Sequence, residues 1–220
     1  MSRRAGYHNR QAVILPKIRS LFLSLDSSTY DEVAPKVEYW IEWALTEHST
    51  IVDELVEEVA SVAWGPGHKS HASVARFLES FVKRPRSNQV KSFVDKLCPH
   101  VLRWFAVASA ERLITTVPGR WDSDYGRVAS NGGNGFISAA SFVGCLIELG
   151  LLSHELVRRF LVKPLIAHHY TENNEKYKSV RTMAIYQLFV TAGNMLLQGL
   201  LEPGDVQACF KMFEAKHSLE

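Results

Sequence analysis

The chain has 220 residues with a formal net charge of +2, and 46% of its residues are hydrophobic. This length and composition suit one large domain with a continuous core. No run of about 18 apolar residues is present, and the basic start Met1–Gly6 lacks the apolar stretch of a secretory signal, so a membrane-spanning or secreted protein is not expected.

The first half of the chain is predicted to be helical after a short tail. Residues 1–12 have the composition of a flexible basic tail, and a single domain is expected over residues 13–220. Apolar residues recur every three or four positions, which predicts helices at about 16–25, 30–47, 49–63, 71–83 and 88–116. Pro99 lies inside the last of these segments and predicts either a kink or two separate helices.

The second half begins with a glycine-rich segment at about 117–135, which predicts a long loop that is either functional or disordered. Helices are then predicted at about 136–149, 154–168, 175–197 and 203–215. The total is nine or ten helices, and no segment has the pattern of a strand. The expected class is all-α, with helix pairs recurring at intervals in the range of HEAT repeats.

The turn between the helices at 136–149 and 154–168 carries the clearest local signals. Gly150 suits the left-handed cap that ends a helix, and Ser153 suits the N-cap of the next one. Two helices joined by so short a turn are predicted to fold back as an antiparallel pair. Such pairs are the building unit of an α-α superhelix, a HEAT/ARM-like solenoid.

Two segments of this half resemble a known family. The first matches a helix that reads roughly F-I-G-E-L-F-K-L-G-M-L-T, followed by a leucine-rich segment at Leu156 to Leu165; the matching residues are Phe142, Val143, Gly144, Leu146, Leu149, Gly150, Leu152 and Ser153. The second, from Leu188 to Leu196, is similar to the pattern L-L-x-T-x-G-x-x-L. Both patterns belong to the MIF4G domain, the HEAT-like middle domain of the translation initiation scaffold eIF4G and its relatives. The N-terminal half matches that domain only as a pattern of helix pairs.

The resemblance implies a single MIF4G-like helical domain that acts as a non-enzymatic scaffold or adaptor. The partners that it implies are a protein, such as a DEAD-box RNA helicase of the eIF4A type or another translation or mRNA-processing factor, and RNA. It implies no cofactor. The matched residues are core and turn residues, so the resemblance assigns no contact residue. The residues themselves leave two alternatives open: a helical trafficking or membrane-surface adaptor unrelated to RNA, and an enzyme whose site is assembled from scattered groups such as His71, His100 and Glu148.

Charge is distributed unevenly along the first half. Residues 26–58 contain ten acidic residues and one basic residue, whereas residues 69–103 contain eight basic residues and two acidic ones. One interpretation is that this asymmetry orients a charged partner. The other is that neighbouring helices complement each other along a shared surface.

Cationic and aromatic residues at three places are candidates for binding a protein or RNA. A basic cluster lies near Pro85, an aromatic and basic segment lies in the predicted loop, and a third group follows Gly150. Phosphate contacts require several cations on one surface, and exposed aromatic rings can stack on bases. The loop rings could equally anchor the loop by being buried. The candidates are Lys83, Arg84, Arg86, Lys91, Arg120, Trp121, Tyr125, Arg127, Arg158, Arg159 and Lys163.

Catalytic and metal-binding signals are weak. No nucleophile elbow, zinc-protease motif, P-loop or dinucleotide fingerprint occurs. The stretch Gly132 to Gly135 lacks the lysine and the preceding strand of a phosphate-binding loop, and the nine histidines lack the paired spacing of a closed zinc site. Three widely spaced cysteines favour reduced thiols and hence a cytoplasmic protein, or alternatively a nuclear one.

Overall fold

The computed structural model describes residues 3–47, 51–64, 71–83, 88–110, 133–171, 173 and 175–217. Within these ranges the chain forms ten α-helices and two π-helical segments, and it forms no β-strand. The all-α class predicted from the apolar periodicity is therefore confirmed.

The helices have the following bounds. The first five are α1 Arg3–Leu23, α2 Tyr30–Glu47, α3 Val52–Trp64, α4 His71–Lys83 and α5 Asn88–Ala110. The others are α6 Gly133–Glu148, α7 His154–Val157, the π segment π1 Arg158–Val162, α8 Lys163–Thr171, α9 Glu175–Met195, the π segment π2 Leu196–Leu200, and α10 Pro203–His217.

Two helices continue through a proline. The sequence predicts that the first helix begins at about residue 16, and that Pro99 either kinks its helix or divides it in two. Pro16 lies inside α1, which begins at Arg3, where the sequence predicts a flexible tail before Pro16. Pro99 lies inside α5, which is one helix from Asn88 to Ala110. In both cases an apolar face crosses the proline: Ile14 and Ile18 are buried in α1, and Leu97 and Val101 are buried in α5. The burial of these faces offsets the hydrogen bond that each proline removes.

Contacts within the chain divide it into two compact units. Unit 1 consists of Met1–Ala63 and Gly67–His100, and unit 2 consists of Trp64–Pro66 and Val101–Glu220. The single domain that the sequence predicts over residues 13–220 stays a prediction.

Unit 1 has a core with a row of phenylalanine rings. Phe22 of α1 meets Phe77 of α4 edge to face at 5.6 Å between ring centroids, and Phe77 stacks on Phe81 at 5.4 Å. Phe81 in turn meets Phe93 of α5 at 6.5 Å. All four rings are buried. The row joins α1, α4 and α5.

The start of α2 is fixed by a side chain that the sequence does not single out. Asp26 accepts hydrogen bonds from the backbone N–H groups of Ser28 (2.8 Å) and Thr29 (2.9 Å), and the Thr29 carbonyl accepts the N–H of Val33. Hydrogen bonds from the Ser28 side chain and then from these backbone groups lower the pKa of Asp26 to about 2. The Asp26 carboxylate thus organises the turn that precedes α2.

In unit 2 the corner at Gly150 has the predicted geometry. Gly150 has a φ of 68°. Its N–H donates to Ile147 O at 2.9 Å, and the next N–H, of Leu151, donates to Leu146 O at 2.9 Å. This is the Schellman motif, which satisfies the last carbonyls of α6. The hydroxyl of Ser153 accepts the N–H of Leu156 at 3.3 Å, as expected of an N-cap.

The helix that packs most extensively on α6 is α9, which is not its neighbour in sequence. The helices after the Gly150 corner pack elsewhere: α7 contacts π2, and α8 contacts both α9 and α10. Tyr170 of α8 also donates its hydroxyl to Ala208 O of α10 at 3.3 Å. The helices thus surround α9, and the solenoid of stacked antiparallel pairs stays a prediction.

The helices α6 and α9 approach each other closely at Gly144 and Thr191. A Cβ atom added at Gly144 would overlap the Thr191 hydroxyl and lie 2.7 Å from the Thr191 Cβ. The Thr191 hydroxyl donates to Gln187 O at 2.8 Å, and the next residue, Ala192, has a non-helical backbone (φ −130°, ψ 21°) that kinks α9. Gly144 and Thr191 each belong to one of the two segments that resemble the MIF4G domain.

Candidate interaction surfaces

Unit 2 carries a cluster of aromatic rings at the surface between α9 and α10. Phe213 is its centre, with ring centroids 5.8 Å from Tyr186, 5.7 Å from Phe189 and 6.0 Å from Phe210. Phe189 and Phe210 are also 6.0 Å apart. The rings pack against each other in edge-to-face and tilted contacts, which gives the cluster a defined shape. These four residues and Val190 are called the aromatic surface below.

Much of the aromatic surface faces solvent. Tyr186 is 48% exposed, Val190 60% and Phe210 47%, while Phe189 and Phe213 are half-buried. Single exposed apolar residues are common on folded proteins, but a contiguous group of rings is typical of a surface that another molecule covers. Among the side chains of α10 that the structure describes, the charged neighbours of these rings in sequence are Lys211 and Glu214, one of each sign.

Unit 1 contains an open groove between α2 and α4, with a volume of about 630 Å³. One wall is a stripe of α2 and the other is α4. The lining residues are Tyr30, Asp31, Ala34, Pro35, Glu38, Tyr39, Glu42, Arg76, Phe77 and Ser80. Arg76 places its guanidinium 4.5 Å from the centroid of the Tyr30 ring. This groove is called the α2–α4 groove below.

Acidic residues of α3 contact basic side chains and a histidine of neighbouring helices in unit 1. Lys96 Nζ of α5 lies 2.7 Å from Asp53 Oδ1 of α3, and His100 Nε2 lies 3.3 Å from Glu57 Oε1. Arg19 of α1 reaches Glu58 at 3.4 Å. These contacts support the interpretation that neighbouring helices complement each other, for the part of the acidic segment that lies on α3. The acidic residues of α2 instead include three that line the α2–α4 groove.

The predicted cationic residues fall into three groups by location. Lys83 is exposed, and its Nζ lies 2.5 Å from Oε1 of Glu79, one turn earlier in α4. Lys91 is exposed on α5. Arg159 and Lys163 are exposed in unit 2. Arg158 is described in the next paragraph, and six further candidates lie outside the described residues: Arg84, Arg86, Arg120, Trp121, Tyr125 and Arg127. The roles predicted for all of these residues in binding stay predictions.

Arg158 is engaged within unit 2. Its guanidinium contacts the carboxylate of Glu202, and its Nε lies 3.7 Å from Asp205 Oδ2. These contacts join π1 to the start of α10. The sequence does not predict that these two segments lie next to each other. Two nearby carboxylates offset the charge of Arg158, so this residue is less suited than Lys163 to contact a phosphate group.

The structure gives no sign of a metal centre in the ranges that it describes: no group of three histidine, cysteine or acidic residues is arranged to hold an ion there. His71 and His100 lie in unit 1, and Glu148 is exposed at the end of α6 in unit 2. None of the three lines the α2–α4 groove. His68 and Gly132 fall outside the described residues. Among the described helices, none is long and apolar enough to cross a membrane.

All three cysteines are buried and none forms a disulfide. Burial, the largest cause in each case, raises the pKa of Cys98 to about 12, of Cys145 to about 11 and of Cys209 to about 12. Since the thiolate is the reactive form, these thiols are poor nucleophiles near neutral pH.

We therefore expect the folded protein to react with an aromatic disulfide reagent at least about a hundredfold more slowly than its urea-unfolded form, which should expose all three thiols. Mass spectrometry of partly labelled protein would separate Cys98 in unit 1 from Cys145 and Cys209 in unit 2. Labelling of any one of them in the folded protein as fast as in urea would contradict its burial.

The aromatic surface is the feature that the sequence did not single out. A signal for it exists: Tyr186, Phe189 and Val190 stand at helical spacing, and so do Phe210 and Phe213. The helix α9 also buries Ala184, Ile185 and Leu188 on another face, so its apolar residues exceed what one buried stripe requires. Nothing in the periodicity indicates which of the two apolar groups is covered.

No model of a known protein family, no curated protein and no solved structure matches the chain.

Proposed function

We propose that this chain is a non-enzymatic helical scaffold that binds a protein partner through the aromatic surface of α9 and α10. The partner class that the resemblance to MIF4G domains indicates is a DEAD-box RNA helicase of the eIF4A type. RNA is the second partner that the same resemblance implies.

The observation that carries this proposal is the aromatic surface itself. Its rings pack on each other at centroid distances of 5.7–6.0 Å, yet Tyr186 and Phe210 stay about half exposed. Aromatic residues are enriched in protein interfaces, and a few central rings supply most of the binding energy there. A rigid cluster also loses little side-chain entropy when a partner covers it.

The contact between α6 and α9 supports the resemblance to MIF4G domains, from which the partner class is taken. Two segments about 45 residues apart in sequence resemble MIF4G patterns, and Gly144 of one packs against Thr191 of the other. A glycine is required at this position because α9 leaves no room for a side chain. The resemblance thus includes two residues, one from each segment, that pack against each other.

The charges of the described side chains at the aromatic surface favour a protein over RNA as its occupant. Binding to a phosphate backbone depends on several unpaired cations on one surface. Beside the exposed rings, α10 offers Lys211 together with Glu214, and the guanidinium of Arg158 contacts Glu202. Apolar contact with a partner helix or loop needs no such cations.

A direct test is to measure binding of a purified eIF4A-type helicase to the wild-type chain and to the double variant Tyr186→Ser/Phe210→Ser by calorimetry. We expect the double variant to bind about tenfold or more weakly, since removing a central aromatic side chain costs about 2 kcal/mol or more. The matched control is Val13→Ser/Val82→Ser, which removes two exposed apolar side chains from unit 1 that do not line the α2–α4 groove.

Three outcomes separate the parts of this proposal. Equal binding by the wild type and the aromatic double variant would reject the aromatic surface as the helicase site. No helicase binding by the wild type would reject that partner class. Binding of a single-stranded RNA that weakens in the double variant but not in the control would reassign the surface to RNA.

A further inference from the structure

The solvent-facing side of α9 carries a stripe of residues that continues beyond the aromatic surface. It consists of Tyr186, Val190, Gly193 and Leu197, and these four residues are called the α9 stripe below. We propose that the α9 stripe binds an amphipathic α-helix of the partner protein, one whose apolar side chains recur at three- and four-residue spacing. The inference rests on the proposed function in that the partner is a protein, and it adds the form of the segment that binds.

The first observation is the spacing of the stripe. Its residues stand four, three and four positions apart, so Tyr186 and Gly193 are seven residues apart, and so are Val190 and Leu197. An alternation of three and four residues keeps one line of contact along a helix, and it is typical of a face that packs against a second helix. An extended segment presents its side chains with a period of two and does not match this line.

The second observation is that the stripe faces solvent on both sides of the kink in α9. Tyr186 and Val190 are exposed before the kink, and Leu197 is 51% exposed after it. The opposite face is buried at four-residue spacing over the same length, at Leu188, Ala192 and Leu196. Because the buried face continues through the kink, the exposed stripe also stays on one side. It extends over roughly 16 Å, at about 1.5 Å per residue, so three turns of a partner helix would cover it.

The third observation is what borders the stripe. The ring of Phe213 on α10 lies 5.8 Å from that of Tyr186 and 5.7 Å from that of Phe189, so aromatic rings flank the N-terminal half of the stripe. Among the described residues, a Cβ added at Gly193 meets no atom within 4 Å, so the stripe is open at this position. A helix lying on α9 would contact apolar groups beneath it and rings beside it, as in the recognition of an amphipathic helix by an apolar surface.

The probe for a test is a fluorescein-labelled peptide of three heptads, with leucine at the a and d positions and alanine, lysine and glutamate elsewhere. The comparison peptide has the same composition, with its leucines distributed around the helix. Fluorescence anisotropy measures the binding of each to the whole chain, at peptide concentrations too low for self-association. The heptad peptide should bind and the comparison peptide should not. Equal binding of the two peptides, or no binding of the heptad peptide, would overturn the proposal without affecting the helicase measurement, because a helicase loop could still cover the aromatic rings.

Two variants of the stripe should change the affinity in opposite directions. Leu197→Glu should weaken binding of the heptad peptide about tenfold, because a carboxylate would be covered by an apolar helix. Gly193→Leu completes the apolar repeat and should tighten binding about three- to tenfold, a gain that loss of folding cannot imitate. The matched controls are Asn194→Glu and Asn194→Leu, at an exposed position beside the stripe, and each should change the affinity less than about twofold.

The outcomes that contradict the stripe leave the proposed function distinguishable. Equal effects at position 194 and in the stripe would overturn the inference, as would weaker or unchanged binding by Gly193→Leu. Helicase binding that is lost in Tyr186→Ser/Phe210→Ser but unchanged in Leu197→Glu would also overturn it and leave the aromatic surface as the helicase site. Sedimentation of the wild type as a dimer that Leu197→Glu converts to a monomer would reassign the stripe to a second copy of this chain.

Discussion

Replacing Gly144 by alanine is expected to lower the free energy of unfolding by about 2–3 kcal/mol, as overpacking of a tight contact does. The new Cβ would overlap the Thr191 hydroxyl. A change of the Thr191 rotamer would not relieve the contact, because the Thr191 Cβ would still lie 2.7 Å away and its hydroxyl would lose the hydrogen bond to Gln187 O. The helices α6 and α9 would have to move apart. Urea unfolding followed by circular dichroism measures the effect.

The control for this prediction is Gly204→Ala. Gly204 lies in the first turn of α10, and a Cβ added there meets no atom within 4 Å. This variant should be as stable as the wild type or slightly more so, by up to about 1 kcal/mol. The double variant Gly144→Ala/Thr191→Gly should recover part of the loss, because it removes both atoms that the new methyl group meets. If Gly144→Ala unfolds at the same urea concentration as the wild type, α6 and α9 do not pack as closely as described.

The second large effect is expected at Arg181 of α9, whose side chain is only 2% exposed. Its Nη1 donates to His168 O at 3.3 Å, near the C-terminal end of α8, where a positive charge is favourable. Arg181→Ala removes that charge and leaves a cavity, so we expect a loss of about 3–5 kcal/mol. Arg181→Met keeps most of the volume and separates the two contributions. Both are measured by urea unfolding, with the exposed Arg159→Met as the control that should change stability by less than about 0.5 kcal/mol.

A histidine next to this site provides a second measurement. The pKa of His169 is lowered, chiefly by burial and then by the positive charges of Lys178 and Arg181. Removing the charge of Arg181 favours protonation of the imidazole, so the pKa of His169 should rise in Arg181→Met. Titration of the histidine ring protons by NMR detects this change. An unaltered stability in Arg181→Ala, together with an unaltered titration of His169, would show that Arg181 is not buried as described.

The variants at Gly144 and Arg181 test two contacts, and the sequence gives a signal only for the first. Gly144 is conspicuous, because it is a glycine inside an apolar helix. The side chain that requires a glycine at this position, that of Thr191, lies 47 residues further along the chain. Arg181 has no such signal, since an arginine among polar residues of α9 reads as exposed. Only the surrounding helices bury it.

The sequence predicts the helices well where local chemistry decides them. The bounds of α2 and α4 agree with the apolar periodicity, and the corner at Gly150 and Ser153 has the expected capping bonds. Apolar residues that recur at helical spacing in α3 and α4 are buried, as Leu55, Val59, Val74 and Phe77 show. These features depend on residues within one or two helical turns of each other, so their free energies are fixed by the local chain.

The tertiary structure alone decides which apolar faces meet. It pairs α6 with α9 instead of with the helix after the Gly150 corner, and it places the carboxylates of Glu202 and Asp205 around Arg158. It also covers one apolar face of α9 and leaves Tyr186 and Val190 of the other exposed. Periodicity records that a face is apolar, but hydrophobic burial has no direction, so the partner of a face follows from how all the helices fill space together.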